Sequence, residues 1–462
     1  MPPLPNSPTM RLIPPSPGQR AWQDLELGFF CHFGVNTFHG MEWSDGTLPA
    51  ASFNPRDLDA AQWVRTAQDA GAGYFILTAK HHDGFCLWPT ATTDYSVASS
   101  PWRDGRGDVV AEVARACREA GMPFGLYLSP WDRNAACYDD PDAYDRFYQA
   151  QLRELCTGYG PLVELWFDGA GSHGRAYDWD GVMAVIDQFQ PQAMVFNMGR
   201  PTIRWIGNED GLAADPVHYV VESTEVSNYV SDTAALDAPR YLPPECDVSL
   251  RRGWFWARDD EPKSTEHLLG IYYRSVGMGT NLLLNVPPDD RGLIGDDDAA
   301  RLRQWRTELD RRFARPIRAH LSGSGDVWTA TFEEPVTIDH VELAEDYNDG
   351  QRIGAHRVLI DDDAAPARTD SAGAGVLAAG LSVGHKRLHA VSPVTVRRLR
   401  IELRGASPRL RSVRAYRAGT SGSGRVEYRA STDEPEANPA VAARPPAEEQ
   451  LVNGLGRARD HH

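Results

Sequence analysis

The residues equipped for chemistry fall in four short stretches, CHFG (31–34), KHHDG (80–84), FDG (167–169) and GNEDG (207–211). In the second, the apolar run YFILTA delivers Lys80, His81, His82 and Asp83 in succession before Gly84 turns the chain. Two kinds of chemistry draw on such an inventory. A hydrolytic metal centre commonly takes two histidines at i and i+2 from one strand, a further histidine and an acid. The chain has no His-x-His pair, and adjacent His81 and His82 would point to opposite faces of a regular strand, so no metal is expected. Displacement at a glycosidic carbon needs two carboxylates about 5–5.5 Å apart, one to attack and one to move protons, among His, Trp and Tyr that hold hydroxyls and stack on a ring. Asp168, after LVELWF and before Gly169-Ala170-Gly171, is the best-placed nucleophile, although an Asp before Gly also serves a turn. Glu209 is the best-placed partner, with Glu222, Glu225, Glu42 and Asp83 left open by position alone.

These stretches need a scaffold that brings them together. From about residue 20 to 310, short β-rich runs alternate with stretches of helical period. GDVVAEVARACREAG sets Val109, Val110, Val113, Ala114 and Cys117 on one helix face, and DAYDRFYQAQLRELC does so with Tyr144, Phe147, Tyr148, Leu152 and Leu155. Gly71, Gly121 and Gly279 stop helices, where a left-handed residue is favoured. About eight such alternations imply parallel βαβ units closed into a barrel, an α/β fold. Between 200 and 262 no convincing helix separates the expected strands YVVES and DVSLRRGWFW, which predicts an irregular (β/α)8 barrel with one or two helices missing. In such a barrel the C-terminal ends of the strands form the site. That rule gathers His32, His81, His82, Tyr127, Trp166 and Asp168 on one rim, with Arg204 and Glu209 in the loop after the fifth strand.

The barrel is expected over 21–314, behind a Pro-rich segment at 1–20. After it the texture changes to short strands with turn residues between them, a β-sandwich over 315–418. The stretch 419–462, rich in Gly, Ser, Pro and Glu, is expected to be disordered.

A formal net charge of −17 and a pI near 5.3 argue against nucleic acid or an anionic membrane as partner, since both reward clustered Lys and Arg. The six cysteines are dispersed without any C-x-x-C, and buried thiols are expected of Cys117 and Cys156. The N-terminus lacks the apolar core of a secretory signal. Taken as the natural start it points to the cytoplasm, and with a trimmed signal to a secreted protein.

Taken in order, FCHFG, MEW, YFILTAKHHDGFCLW, GLYLSPW and LWFDG resemble the α-L-fucosidases of glycoside hydrolase family twenty-nine, over about residues 22–310. The resemblance implies Asp168 as the nucleophile of a covalent fucosyl-enzyme and His32, His81 and His82 as ligands of the fucose hydroxyls. Glu42, Trp43 and Tyr127 are implied to complete the pocket, with Trp166 beside the nucleophile. RWIGNEDG with PPECDVSLRRGWFW is similar to the branch that acts on α-1,3- and α-1,4-linked fucose in Lewis-type glycans. That branch implies Glu209 as acid/base, Arg204 as a substrate ligand and Trp254 as an aromatic wall. No metal or organic cofactor is implied, and the expected partner is a fucosylated oligosaccharide or glycoconjugate. VELAEDYNDGQRIGAHRVLI with VGHKRLHAV resembles the discoidin-like (coagulation-factor type C) sandwich that accompanies these barrels, where sugar binding and packing on the barrel both stay open. Two other readings share the rim: a non-catalytic fucose-binding protein, which has no need of paired Asp168 and Glu209, and a retaining glycosidase of another sugar, which His81-His82 and MEW argue against. Hydrolysis and fucose transfer use the same residues.

Overall fold

The computed structural model describes residues 11–171, 174–224, 235–361, 375–420, 425–427 and 449–451. Eight strands make one sheet: β1 (Leu27–Cys31), β2 (Tyr74–Lys80), β3 (Phe124–Leu128), β4 (Glu164–Trp166), β5 (Met194–Phe196), β6 (Arg204–Trp205), β7 (Pro244–Ser249) and β8 (Asn281–Asn285). Their order is β5-β4-β3-β2-β1-β8-β7-β6, every pairing parallel. A parallel bridge from Phe196 to Ile203 joins β5 to the residue ahead of β6 and brings the two edges together. Because all strands run the same way, their C-terminal ends share one rim.

Helix α1 (Pro17–Gln23) precedes the barrel, and α2 (Ala60–Ala70), α3 (Val109–Ala120), α4 (Pro141–Gly158) and α5 (Trp179–Phe189) follow β1 to β4 in turn. The side chains of Asp59, Asp108, Asp140 and Asp178 cap these four by accepting a backbone N–H of the first turn. Gly71 and Gly121 end α2 and α3 at φ 84° and 67°, the left-handed region where glycine carries no Cβ penalty. Helices α6 (Thr265–Arg274) and α7 (Asp296–Phe313) follow β7 and β8. Among the described residues no helix follows β5 or β6, the irregularity predicted for 200–262. Nor, among them, is any helix long and apolar enough to cross a membrane.

Two strand assignments change. YVVES does not enter the barrel; Val220–Ser223 pairs antiparallel with Ala235–Tyr241 in a separate hairpin. The sixth barrel strand is the two-residue β6, too short to show a period in the sequence. The stretch read as Pro-rich also holds structure: Ser16 and Gln19 form a capping box over α1, with Pro17 at its first position. That helix closes the N-terminal end of the barrel. Trp22 Nε1 donates to Glu164 Oε2 at 2.9 Å, and Gln19 Nε2 donates to the carbonyls of Thr202 and Tyr241, each at 2.7 Å.

The C-terminal domain is antiparallel: β9 (Ile317–Arg318), β10 (His320–Ser324), β11 (Val327–Glu345), β12 (Ile353–Ile360), β13 (Val376–Gly380), β14 (Arg387–Gly405) and β15 (Leu410–Tyr416). Its strands form one hydrogen-bonded path, β9-β15-β11-β14-β12-β13 with β10 on β11. Continuity comes from the 19-residue strands β11 and β14, whose mutual register shifts near Thr331–Val336 and Ile338–His340 let β11 serve three neighbours and β14 two. Phe332, Ile338, Val341, Val358, Leu399 and Ile401 fill the core. Of the stretch expected to be disordered, a short pairing of Arg425–Glu427 with Glu449–Leu451 is described, and most of the remainder lies outside the described residues.

Candidate active site

Strand β2 ends on Lys80, whose buried ammonium donates to Asp132 Oδ2 and Gln151 Oε1, both at 2.9 Å. A register shift between Thr78 and Lys80 breaks the pleat at this point. His81 and His82 therefore do not alternate: their rings lie 4.1 Å apart and both face the rim, against the expectation for a regular strand.

The tautomers follow from the partners. Ser129 gives its hydroxyl proton to Trp131 O at 2.7 Å, so its contact with His82 Nδ1 at 2.6 Å requires the imidazole to donate. His82 Nε2 is then a lone-pair acceptor, 3.6 Å from Asp168 Oδ2. His32 Nδ1 lies 2.9 Å from Asn285 Oδ1, while Asn285 Nδ2 donates to Ser249 Oγ and Trp254 O at 2.9 and 2.8 Å. The amide is thus oriented with its oxygen toward His32, which also carries its proton on Nδ1 and presents Nε2 as an acceptor. Burial holds the pKa of both His32 and His82 down at about 3 and that of His81 well below the usual imidazole range. All three are neutral at physiological pH, and His81 Nδ1 is buried with no hydrogen-bond partner among the described residues.

Asp168 stands two residues beyond β4. Its Oδ2 accepts from Tyr127 OH at 3.0 Å and its Oδ1 from Ala170 N–H at 2.9 Å, with the side chain 24% exposed. Tyr127 is stacked on Trp166, ring centres 5.2 Å apart. Trp166 is in turn stacked on Phe196 at 4.1 Å and donates Nε1 to Glu245 Oε2 at 3.1 Å. The carboxylate is fixed from below by a packed aromatic column, while water reaches it from above.

Aromatic walls complete the rim. Trp43 meets His82 and Trp131 edge-on at 4.8 and 5.0 Å, and Trp254 and Phe255 lie 5.1 and 5.0 Å from His32 and His81. Glu42 Oε2 accepts the backbone N–H groups of Trp254 and Phe255 at 2.7 and 3.3 Å, so this carboxylate oxygen positions the aromatic loop.

Glu209 is half-buried in the loop four residues beyond β6. Only β5 lies between β4 and β6, which sets the C-terminal ends of those two strands about 10 Å apart. Arg204 takes a different place. Strand alternation puts Trp205 among the barrel-interior aromatics and Arg204 on the opposite face, where its guanidinium donates to the carbonyls of Trp205 and His218 at 3.1 and 2.9 Å. It braces the backbone of its own loop. Of the other acids, Asp83 is buried and caps its own turn through Phe85 N–H at 2.8 Å, Glu222 is exposed on the hairpin, and Glu225 lies outside the described residues. Sequence reasoning assigns no role to Asn285 or Phe255, and places Ser129 and Trp131 at the end of the third strand without one. Asn285 ends β8, so the strand-end rule carried a signal for it.

Neutral acceptors, aromatic walls and a fixed carboxylate on a parallel-barrel rim are the equipment of a carbohydrate site. The alpha-L-fucosidase family model matches residues 40–307. Alpha-L-fucosidase 1 of Arabidopsis thaliana is 46% identical over 301 residues, covering 63% of this chain and 59% of that protein. The chain thus spans about three-fifths of that relative's length. The solved structure of SpGH29 matches with a TM-score of 0.81 at 33% identity, over 89% of this chain and 99% of that one. A GH29 fucosidase of Ruminococcus gnavus in complex with fucose matches with a TM-score of 0.77 at 28% identity, over 89% and 97%. The chain belongs to the alpha-L-fucosidase family of glycoside hydrolases, family 29.

Proposed function

We propose that this chain is a retaining exo-α-L-fucosidase that hydrolyses terminal α-1,3- or α-1,4-linked L-fucose from branched, Lewis-type oligosaccharides. The carrying observation is the setting of Asp168: a carboxylate fixed by Tyr127 OH and Ala170 N–H, with the acceptor nitrogen of His82 3.6 Å away. The names of the relatives and the order of the rim motifs support the same reading.

L-Fucose is a 6-deoxy sugar, so its pocket needs partners for three ring hydroxyls and an apolar wall for a methyl group. His32 and His82 offer Nε2 as acceptors, His81 a further ring nitrogen, and Trp43, Trp254 and Phe255 the apolar surfaces. A buried site of this kind rejects sugars with misplaced hydroxyls, because its polar groups would be left unpaired. In the first step Asp168 attacks C1 while protonated Glu209 gives its proton to the departing glycosidic oxygen, leaving a covalent ester on Asp168. In the second, the Glu209 carboxylate takes a proton from water, whose oxygen attacks C1 and frees Asp168 and L-fucose with net retention. Neither step calls for a metal or organic cofactor.

The test is fucose release from a Lewis-type trisaccharide, run beside α-1,2-fucosyllactose and a nitrophenyl fucoside, with Asp168→Ala as control. Release from the trisaccharide alone, lowered about 10⁴-fold or more in the mutant, is expected. Release from all three would remove the linkage assignment, and release from none would remove the activity.

A further inference from the structure

We infer that the C-terminal β domain is a working part of the catalytic centre, holding the Glu209 loop in place through Gln351, Ser382 and Arg387. The inference rests on the assignment of Glu209 as acid/base.

The loop from Ile206 to Tyr219 leaves β6 without a following helix, unlike the rim loops after β1 to β4. Its crest is folded locally. Asn208 Oδ1 accepts the N–H groups of Asp210 and Leu212 at 3.1 and 3.3 Å, and its Nδ2 donates to Leu212 O at 2.8 Å, which places Glu209 at the tip of a tight turn. Ala213 then exchanges two bonds with Arg274 at the end of α6, N–H to carbonyl at 2.7 Å and guanidinium to carbonyl at 2.9 Å.

From Asp215 onward the support changes domain. The Asp215 carboxylate accepts the N–H groups of Leu381 and Ser382 at 3.2 and 3.4 Å and pairs with Arg387 at 2.7 Å. Ser382 Oγ accepts Val217 N–H at 2.8 Å. The Gln351 side chain grips the next peptides as a neighbouring strand would: its Nε2 donates to Val217 O at 2.8 Å and its Oε1 accepts Tyr219 N–H at 3.0 Å. Tyr219 OH donates to Gly279 O at 2.6 Å and accepts His385 N–H at 2.8 Å. The two gripping segments are tied together by Glu345, whose buried carboxylate accepts the N–H groups of Ile353 and Gly384, each at 2.9 Å. Gln351, Ser382, Arg387 and Tyr219 are all buried, so water does not compete for these bonds.

A general acid works only within hydrogen-bond reach of the leaving oxygen, and a misplacement of about 1 Å costs up to about 10²-fold. A loop with no helix behind it takes its rigidity from what it leans on: β7 and α6 through Asp210 and Ala213, and the second domain from Asp215 onward. Gln351 and Ser382 are thus positioning residues for proton transfer.

The experiment compares kcat/KM of the full chain on two substrates. A Lewis-type trisaccharide leaves as a sugar and needs a proton; α-L-fucosyl fluoride leaves as fluoride and does not. Gln351→Ala, Ser382→Ala and Glu209→Ala are measured at a temperature where circular dichroism shows each variant folded. Gln351→Ala should lower kcat/KM on the trisaccharide about 10- to 100-fold while holding the fluoride within about twofold. Ser382→Ala should give a smaller loss of the same pattern, and Glu209→Ala a larger one. Equal losses on both substrates, or none, in Gln351→Ala and Ser382→Ala would overturn the inference. Equal effects on both substrates in Glu209→Ala would overturn the acid/base assignment, and the strut as a device for Glu209 with it; which variant departs tells the two failures apart.

Discussion

On the floor of the barrel, Glu164 accepts from Trp22 Nε1 at 2.9 Å, and Glu245 accepts from Tyr74 OH at 2.5 Å and Trp166 Nε1 at 3.1 Å. A layer higher, Asp247 accepts from Trp205 Nε1 at 2.6 Å. On the rim, His32 and His82 spend one nitrogen on Asn285 and Ser129 and turn the other toward the cleft, and His81 Nδ1 has no partner among the described residues. Both regions are largely buried; the floor is built from acids, indoles and a phenol, the rim from imidazoles and indoles around Asp168. On the floor each of these indole and phenol protons meets a carboxylate, and burial raises the pKa of Glu245 to about 7. On the rim the protein's own donors are used to fix tautomers, and the remaining lone pairs await a ligand. What sets the rim apart is that its acceptor nitrogens gather beside a part-exposed carboxylate, Asp168, and aromatic walls open to the cleft.

Breaking one bond in each region should expose the difference. His82→Phe removes a rim acceptor and should lower kcat/KM on the fucosylated trisaccharide by about 10- to 100-fold, the worth of one or two buried hydrogen bonds, with little change in thermal unfolding. Trp22→Phe removes a floor donor and should do the reverse. Unfolding free energy should fall by about 1–3 kcal/mol, read by denaturant titration, with kcat/KM inside a factor of about two.

A smaller and finer effect lies in the pH dependence. His32 and His82 have folded pKa values of about 3 against the ordinary 6.5, so the unfolded chain takes their protons first. Their effect is to lower stability as pH falls below about 6.5, and to leave it unaffected above. Glu245 has the opposite sign: with its pKa raised from 4.5 to about 7, its contribution is complete below 4.5 and fades as pH rises through 7. Unfolding midpoints between pH 4 and 8 should therefore lose part of their acid slope in His82→Phe. Nitrogen-15 spectra of His32 and His82 should show neutral rings with the proton on Nδ1 across the range.

Much of this was legible in the sequence where local pattern and function coincide. Lys80 to Asp83 at the end of YFILTAK and Asp168 at the end of LVELWF announced themselves as strand-end polar residues, and the helical faces of α3 and α4 were visible in spacing alone. Long-range partners were less legible. The family resemblance implies Arg204 as a substrate ligand, but here the buried guanidinium satisfies two backbone carbonyls. Glu42 looked like a pocket acid, while one of its oxygens anchors the Trp254 loop more than 200 residues away. Strand β6 has two residues and so no period, and the fate of YVVES depended on a hairpin partner that sequence pattern does not reveal. The bend after Lys80 that turns both imidazoles to one side comes from a register shift against β3, a tertiary event.

The most direct test of the account is to trap the intermediate. A 2-deoxy-2-fluoro-L-fucosyl fluoride should inactivate the protein with one equivalent bound, and peptide mass spectrometry should place the sugar on Asp168. A label on another residue, or steady fucose release with no trapped ester, would contradict the assignment of Asp168 as nucleophile.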